Sequence, residues 1–177
     1  STLSSSSAAS DVYKRQATTI ANYLDNNRSY HLSITDNLTG LYNDRYFHEA
    51  LYSEVEECAY HHIPLHLIFF DLDNLKRVND SYGHLAGSTV LSEIGQILRK
   101  TRKKLWAARY GGDEFVIIIR DKTTKEVVAM MEEIRLSIEN HTFLNRPFFG
   151  QKPLQLKEMI TACLLYTSPS PRDRQKS

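Results

Sequence analysis

Arg109-Tyr110-Gly111-Gly112-Asp113-Glu114-Phe115, read with Asp71-Leu72-Asp73 upstream, decides how this chain folds. Each acidic cluster borders an apolar, strand-like run. Leu65 to Phe70 reads as a buried strand ending at Asp71. Trp106 to Tyr110 reads as a short strand and Phe115 to Ile119 as its return. Gly111-Gly112 between them reads as a tight two-residue turn with positive φ at both positions. With the Asp71 strand beside this hairpin, Asp71 and Asp113 converge. Such a carboxylate pair suits a divalent metal, Mg²⁺ or Mn²⁺, and the glycines let a polyphosphate approach the backbone.

The surrounding elements follow from the same reading. Residues 17–34, with Ile20, Tyr23, Leu24 and Leu32, predict an amphipathic connector helix. Asp36-Asn37-Leu38-Thr39-Gly40 is turn chemistry. Asn43 or Asp44 caps a helix to about Tyr60, with Phe47, Leu51 and Val55 as its apolar positions, and Pro64 blocks its continuation. After Asp73 comes a short polar helix or turn, then Gly83. A helix from about Leu85 to Lys103 follows, with Val90, Leu91, Ile94, Ile97 and Leu98 on one face. Thr123 or Thr124 caps another through Val127, Met131, Ile134 and Ile138. Residues 141–153 read as loop, and Leu154 to Ala162 as the start of a strand. The order helix, strand, helix, hairpin, helix, strand implies an α/β fold: a mixed central sheet flanked by helices.

Composition bounds the classes of function. The 177 residues are 41% hydrophobic and 24% charged, ordinary for a globular domain. The formal net charge of +1 argues against nucleic acid or an acidic membrane surface as partner. No apolar run approaches the roughly 20 residues of a membrane helix. Two cysteines, Cys58 and Cys163, make no disulfide framework and point to a cytoplasmic setting.

Both ends read as foreign to the fold. Ser6 to Gln16 and Cys163 to Asp173 can be encoded by the two adapters of transposase-made sequencing libraries. The chain therefore divides into an adapter-like or disordered tail at 1–16, a connector helix at 17–35, a domain at 36–162 incomplete at its C-terminus, and a second tail at 163–177. The tails hold five basic and two acidic residues of the chain's 22 and 21, so the remainder carries a net charge of −2.

Single residues carry open alternatives. Asp71 and Asp73 are taken to point to opposite faces, with Asp71, directly after the strand, facing the metal. Alone they read as solvated loop carboxylates, and Gly111-Gly112 alone as a plain turn; the inference rests on the two together. Lys76 is within reach of a phosphate or is a solvated surface lysine. Asn79-Asp80 caps a helix, or the Asn79 amide meets a base edge. His61, His62 and His66 lack a second ligand cluster, and Cys58 is a packing residue. The chain has neither the Gly-x-x-x-x-Gly-Lys loop nor the kinase glycine loop, which excludes those nucleotide enzymes.

Four ordered motifs resemble the GGDEF family of diguanylate cyclases: Asp36-x-Leu38-Thr39-Gly40-Leu41-x-Asn43; Phe70-Asp71-Leu72-Asp73-x-x-Lys76-x-x-Asn79-Asp80; Tyr82-Gly83-His84-x-x-Gly87; and Arg109 through Phe115. The resemblance covers about Asp36 to Ala162 and implies a palm-like nucleotidyl cyclase fold. It implies that two GTP molecules, one per subunit of a homodimer, condense to cyclic di-GMP with release of pyrophosphate. By motif match Asp71, Asp113 and the Leu72 carbonyl bind metal, and Glu114 supports the catalytic site with Asp113. Lys76 meets phosphate, Asn79 meets guanine, and Gly111 and Gly112 line the substrate. Asp36 pairs with Arg109 to hold the hairpin. An upstream sensor domain is expected in the parent protein, whose own membrane tether stays open.

Three departures from the family pattern stand out. Ser88 occupies the position of the aspartate that follows Gly-His-x-x-Gly and reads guanine. Its loss costs about 1–3 kcal/mol of guanine discrimination. A minority branch with serine here makes cyclic GMP-AMP from GTP and ATP; the alternative is a helix N-cap serine without a role in base choice. Arg102-Lys103-Lys104-Leu105 keeps the arginine but not the carboxylate of the family's Arg-x-x-Asp product-inhibition site, so no product inhibition is expected there. The family's C-terminal strand, hairpin and helix, with their phosphate-binding Lys and Arg, are expected after Ala162, so a chain without them is expected to fold poorly and lack activity. A non-catalytic GTP-binding module is the competing function, and the intact Asp71, Asp113 and Glu114 favour the enzyme.

Overall fold

The structure is a computed structural model that describes residues 3–101, 106–157 and 159–167. The Arg102–Leu105 stretch, and the inhibition expectation attached to it, lies outside the described residues. The chain divides into two units at Ile34/Thr35. The first is one helix, α1 (Leu3–Ile34). It begins well before residue 17, where the sequence reading starts its helix, because no glycine or proline interrupts residues 3–34. Ile20, Leu24 and Leu32 are each more than half exposed.

The second unit runs α2 (Asp44–His61), β1 (Leu65–Asp73), α3 (Leu75–Tyr82), α4 (His84–Thr101), β2 (Trp106–Arg109), β3 (Glu114–Arg120), α5 (Thr124–Glu139) and β4 (Thr161–Thr167). The sheet order is β2-β3-β1-β4, and all three ladders are antiparallel. A parallel bridge, Tyr42 to Ala108, extends the β2 edge and makes the sheet mixed. This is the split βαβ arrangement: β1 and β4 each neighbour a strand that is not their sequential partner.

Period-two patterning sorts the core into two layers. Ile68, Phe70 and Leu72 of β1, with Phe115, Ile117 and Ile119 of β3, join the α3–α5 side. Leu65, Leu67 and Phe69, with Val116 and Ile118, face the opposite way with Phe47 and Cys58 of α2. Phe70 and Phe115 stack at a 5.0 Å centroid separation. Phe115 to Ile119 is buried on both faces, which is why it reads as an unbroken apolar run.

Local signals explain the helix ends. The Asn43 side chain accepts the Tyr46 N–H and caps α2. Thr123 and Glu126 form a reciprocal capping box on α5. Along α2, Phe47 is buried and Leu51 half-buried, but Val55 is exposed. Cys58, three turns from Phe47, is buried instead.

Four readings need correction. First, Asp71 and Asp73 do not point to opposite faces. β1 runs through Asp73, and residues two apart on a strand share a face. Second, neither Gly111 nor Gly112 has positive φ; Gly40, Gly83 and Gly150 do. The connection is longer than two residues, and the Tyr110 and Gly111 N–H groups both donate to the Glu114 carbonyl. Third, residues 163–167 belong to the sheet, pairing with Asp71 to Leu67 of β1. Ala162, Leu164 and Tyr166 alternate onto the α5 side, so this stretch satisfies strand periodicity whatever its origin. The strand starts at Thr161, not Leu154. Fourth, Ser88 is the fifth residue of α4 and so is not an N-cap.

Candidate active site

The site forms where β1 and the β2–β3 connection end together. The register sets Asp71 opposite Glu114. One residue further on, the Leu72 N–H donates to the Asp113 carbonyl at 3.3 Å. Burial raises the Asp71 carboxyl above its ordinary value, and the neighbouring Asp113 and then Asp73 charges push the same way against a hydrogen bond from the Leu72 amide. Asp73 is engaged elsewhere, accepting from Thr161 Oγ1 at 2.7 Å. The sequence pair Asp71 and Asp113 is thus brought together, with Asp73 alongside.

This donor set fits one kind of metal. Among the described residues no group of three or more His, Cys, Asp or Glu side chains gathers as a self-sufficient ligand cage. Two carboxylates and a main-chain carbonyl are hard oxygen donors. They match a cation such as Mg²⁺, which takes one or two carboxylates and fills its shell with water and phosphate oxygens. The like charges that hinder Asp71 ionisation are what such a cation relieves.

The glycine loop is held from behind by Arg109. Its Nε donates to the Gly111 and Gly112 carbonyls at 3.1 and 3.2 Å, and Nη2 to Gly112 at 2.7 Å. Its Nη1 meets Asp36 Oδ2 at 3.3 Å, forming the expected pair. Asp36 Oδ1 accepts from the Thr39 N–H and hydroxyl at 2.8 and 2.7 Å. Partial burial alone raises the Asp36 carboxyl, but the Thr39 hydrogen bonds and Arg109 charge outweigh it and hold the group below its usual value. The Asp36–Gly40 turn is stitched to β2, with the Tyr42 N–H on Ala107 and the Arg109 N–H on Tyr42. It also rests on α4, where Arg99 Nη1 bonds the Thr39 carbonyl. Gly111 lacks a side chain where a Cβ would come within 2.7 Å of Glu114 Oε2. Open space faces Gly112.

Beside the carboxylates is a cleft of about 290 Å³ bordered by Asn79, His84, Ser88, Arg109, Gly112 and Asp113. Leu75 of α3 and Leu91 of α4 supply apolar lining. Asn79 fits because Gly87 opposite has no side chain; a Cβ there would overlap its amide. Ser88 Oγ makes no hydrogen bond to another described residue, and it is half-buried. Lys76 and Gly111 are not among the cleft walls, and Lys76 is exposed on α3. Glu114 is exposed at the start of β3. The sequence reading gave His84 no role. The signal was its spacing: four residues before Ser88 and seven before Leu91, it lies on the same face of α4.

An antiparallel split βαβ sheet, with paired carboxylates at its central strand end and a cleft beside a glycine loop, defines a palm-like nucleotidyl cyclase domain. A sequence profile described as "Diguanylate cyclase, GGDEF domain" matches residues 33–166. The chain belongs to this family. It is 36% identical over 124 residues to the response regulator PleD of Caulobacter vibrioides, covering 68% of this chain and 27% of that protein. It is 32% identical over 126 residues to diguanylate cyclase A of Treponema denticola, covering 68% of this chain and 34% of that protein. The chain thus spans about a third or less of these relatives. The crystal structure of the GGDEF domain of DgcB from Caulobacter crescentus in complex with c-di-GMP superposes with a TM-score of 0.69 at 26% identity, covering 78% of this chain and 79% of that one. No helix among the described residues is long and apolar enough to cross a membrane.

Proposed function

We propose that this domain condenses two GTP molecules into cyclic di-GMP. The observation that carries the reading is the meeting of Asp71 and Asp113 at the end of β1, beside the cleft bordered by Asn79, Ser88 and Gly112. The reaction runs in a two-fold homodimer, with one GTP per subunit, in the cytoplasm where GTP is supplied. Each 3′-hydroxyl oxygen bonds the α-phosphorus of the opposing GTP. The α–β phosphoanhydride bond breaks, pyrophosphate leaves, and the hydroxyl proton is released.

Asp71, Asp113 and the Leu72 carbonyl hold a divalent cation, Mg²⁺ or Mn²⁺. When bound, that cation neutralises charge on the phosphates and the leaving pyrophosphate. Asn79 presents a donor and an acceptor to the base edge. Gly112, with open space before it, lets the phosphate chain lie against the backbone. Lys76 reaches the phosphates from α3 as a point charge. Glu114, the exposed carboxylate at the start of β3, supports the catalytic site with Asp113. Arg109 borders the cleft and positions the glycine loop through its bonds to the Gly111 and Gly112 carbonyls.

Ser88 supports a second reading. Its half-buried hydroxyl both donates and accepts, so it tolerates adenine where a carboxylate would require guanine N–H groups. On that reading the domain accepts ATP with GTP and makes cyclic GMP-AMP. The test is incubation of the purified protein with Mg²⁺ and GTP, or GTP plus ATP, followed by chromatographic separation. Cyclic di-GMP supports the first reading, and a mixed product the second. GTP binding without turnover, unchanged in Asp113→Asn, would leave a non-catalytic binding module.

A further inference from the structure

A second cleft lies along α4. It is larger than the nucleotide cleft, about 400 Å³ against 290 Å³, and opens between α4 and the 141–148 segment. Thr89, Glu93, Gln96 and Lys100 of α4 line it at spacings of four, three and four, which is one helical face. We propose that this cleft binds an organic phosphate of about mononucleotide size, at a site separate from the one that handles GTP.

The charges point to an anion. Glu93 is the only acidic residue among the described residues of the lining, and both its oxygens are occupied. Oε2 pairs with His141 Nε2 at 2.8 Å, and Oε1 accepts the Leu144 N–H at 3.1 Å. Glu93 therefore fixes the 141–144 segment against α4. Lys100 and Arg146 are exposed at the cleft, and neither makes an ion pair with a described residue. Two cations remain for a ligand. The guanidinium fork suits the oxygens of a phosphate bidentately, and the ammonium adds a point charge.

The rest of the lining points to a body behind the phosphate. Ile97 and Phe148 are buried beside the cleft, with Pro147 between the phenyl ring and Arg146 in sequence. These give an apolar floor, and the Gln96 and Asn145 amides lie at its margin as neutral donors and acceptors. The volume falls in the roughly 300–1,000 Å³ range of small-molecule sites. Inorganic phosphate would satisfy the cations but leave the floor uncovered. The site owes nothing to Asp71 or Asp113, so it stands or falls independently of the cyclase reading.

The test is titration of the purified protein with AMP in EDTA, which suppresses cation-dependent binding at the carboxylates. Binding is read by calorimetry, with adenosine and inorganic phosphate as controls, and located by amide chemical shifts. The expected result is saturable AMP binding with shifts at Thr89, Gln96 and Asn145. Both controls should bind more weakly. Arg146→Ala and Lys100→Ala should each weaken AMP about tenfold or more, as loss of a charge-assisted hydrogen bond does. Both residues are exposed, so neither change threatens folding. Asn79→Ala should leave this affinity unchanged. No saturation by AMP or GMP at millimolar concentration overturns the proposal. So does binding that Asn79→Ala weakens while Arg146→Ala and Lys100→Ala do not.

Discussion

Replacing Arg109 tests whether the glycine loop is held from behind. The guanidinium makes three effective contacts: a shared Nε bond to Gly111 and Gly112, an Nη2 bond to Gly112, and the Asp36 pair. Its side chain is 18% exposed and that of Asp36 23%, so these bonds are neither fully screened nor fully buried. A hydrogen bond to a charged group contributes about 1.5–3 kcal/mol when buried, and an exposed ion pair about 0.2–1 kcal/mol. Discounting for partial exposure, Arg109→Ala should destabilise the domain by about 2–4 kcal/mol, below the ceiling for stranding one partner of a buried pair. Arg109→Lys keeps the charge but not the fork and should lose about 1–2 kcal/mol. A double-mutant cycle with Asp36→Ala should give a coupling of about 1 kcal/mol. Urea unfolding followed by Trp106 fluorescence is a direct assay, because Trp106 is the chain's single tryptophan and stacks on Tyr42 at 4.8 Å in β2. An Arg109→Ala midpoint within about 0.5 kcal/mol of wild type, or strictly additive changes in the cycle, would refute the reasoning.

Other expectations follow from the same geometry. Asp71 has a raised carboxyl, so its ionisation opposes folding above that pKa, and the penalty is relieved as pH falls through it. Melting curves in EDTA should therefore show Asp71→Asn stabilised at neutral pH, with the gain vanishing in acid. In a separate series with Mg²⁺ in place of EDTA, the cation should raise the melting temperature of wild type and not that of the variant. Asp36 has the opposite sign: its contribution is present above the ordinary carboxylate range and disappears as pH falls through its lowered value. Asp36→Asn should flatten that part of the acid limb. Gly87→Ala should displace the Asn79 amide and weaken nucleotide binding about tenfold, read by calorimetric GTP titration, while α4 stays helical by circular dichroism. Ser88→Asp should raise the ratio of GTP to ATP use by roughly 10–100-fold in competition assays.

Much of the fold was legible because strong periodicity leaves little choice. Ile68-Phe69-Phe70 and Phe115 to Ile119 are apolar on both strand faces, and Asn43, Thr123 and Pro64 mark helix limits by local chemistry. The convergence of Asp71 and Asp113 was legible too, since it requires only that β3 pair with β1. What escaped depends on non-local geometry. The glycine turn follows Arg109, whose guanidinium reaches forward to the Gly111 and Gly112 carbonyls while pairing with Asp36, 73 residues earlier, and turn propensity does not encode that pairing. Asp73 differs from the expectation because a strand has a period of two: β1 runs through Asp73, so residues two apart share a face instead of opposing. Residues 163–167 were set aside for their resemblance to an adapter, yet their alternation suits an edge strand. The cleft at 141–148 is hidden from the sequence because that stretch reads only as loop, and its shape comes from Glu93, 48 residues before His141 and 51 before Leu144.

The Asp36–Arg109 link has a mechanical corollary. Thr39 ties the Asp36 carboxylate to the turn, and a single guanidinium ties it to the Gly112 carbonyl. The first residues of this unit and the glycine loop are therefore joined by one short relay of side-chain hydrogen bonds. A displacement at residue 36 thus has a direct hydrogen-bonded route to Gly112, the residue that precedes Asp113.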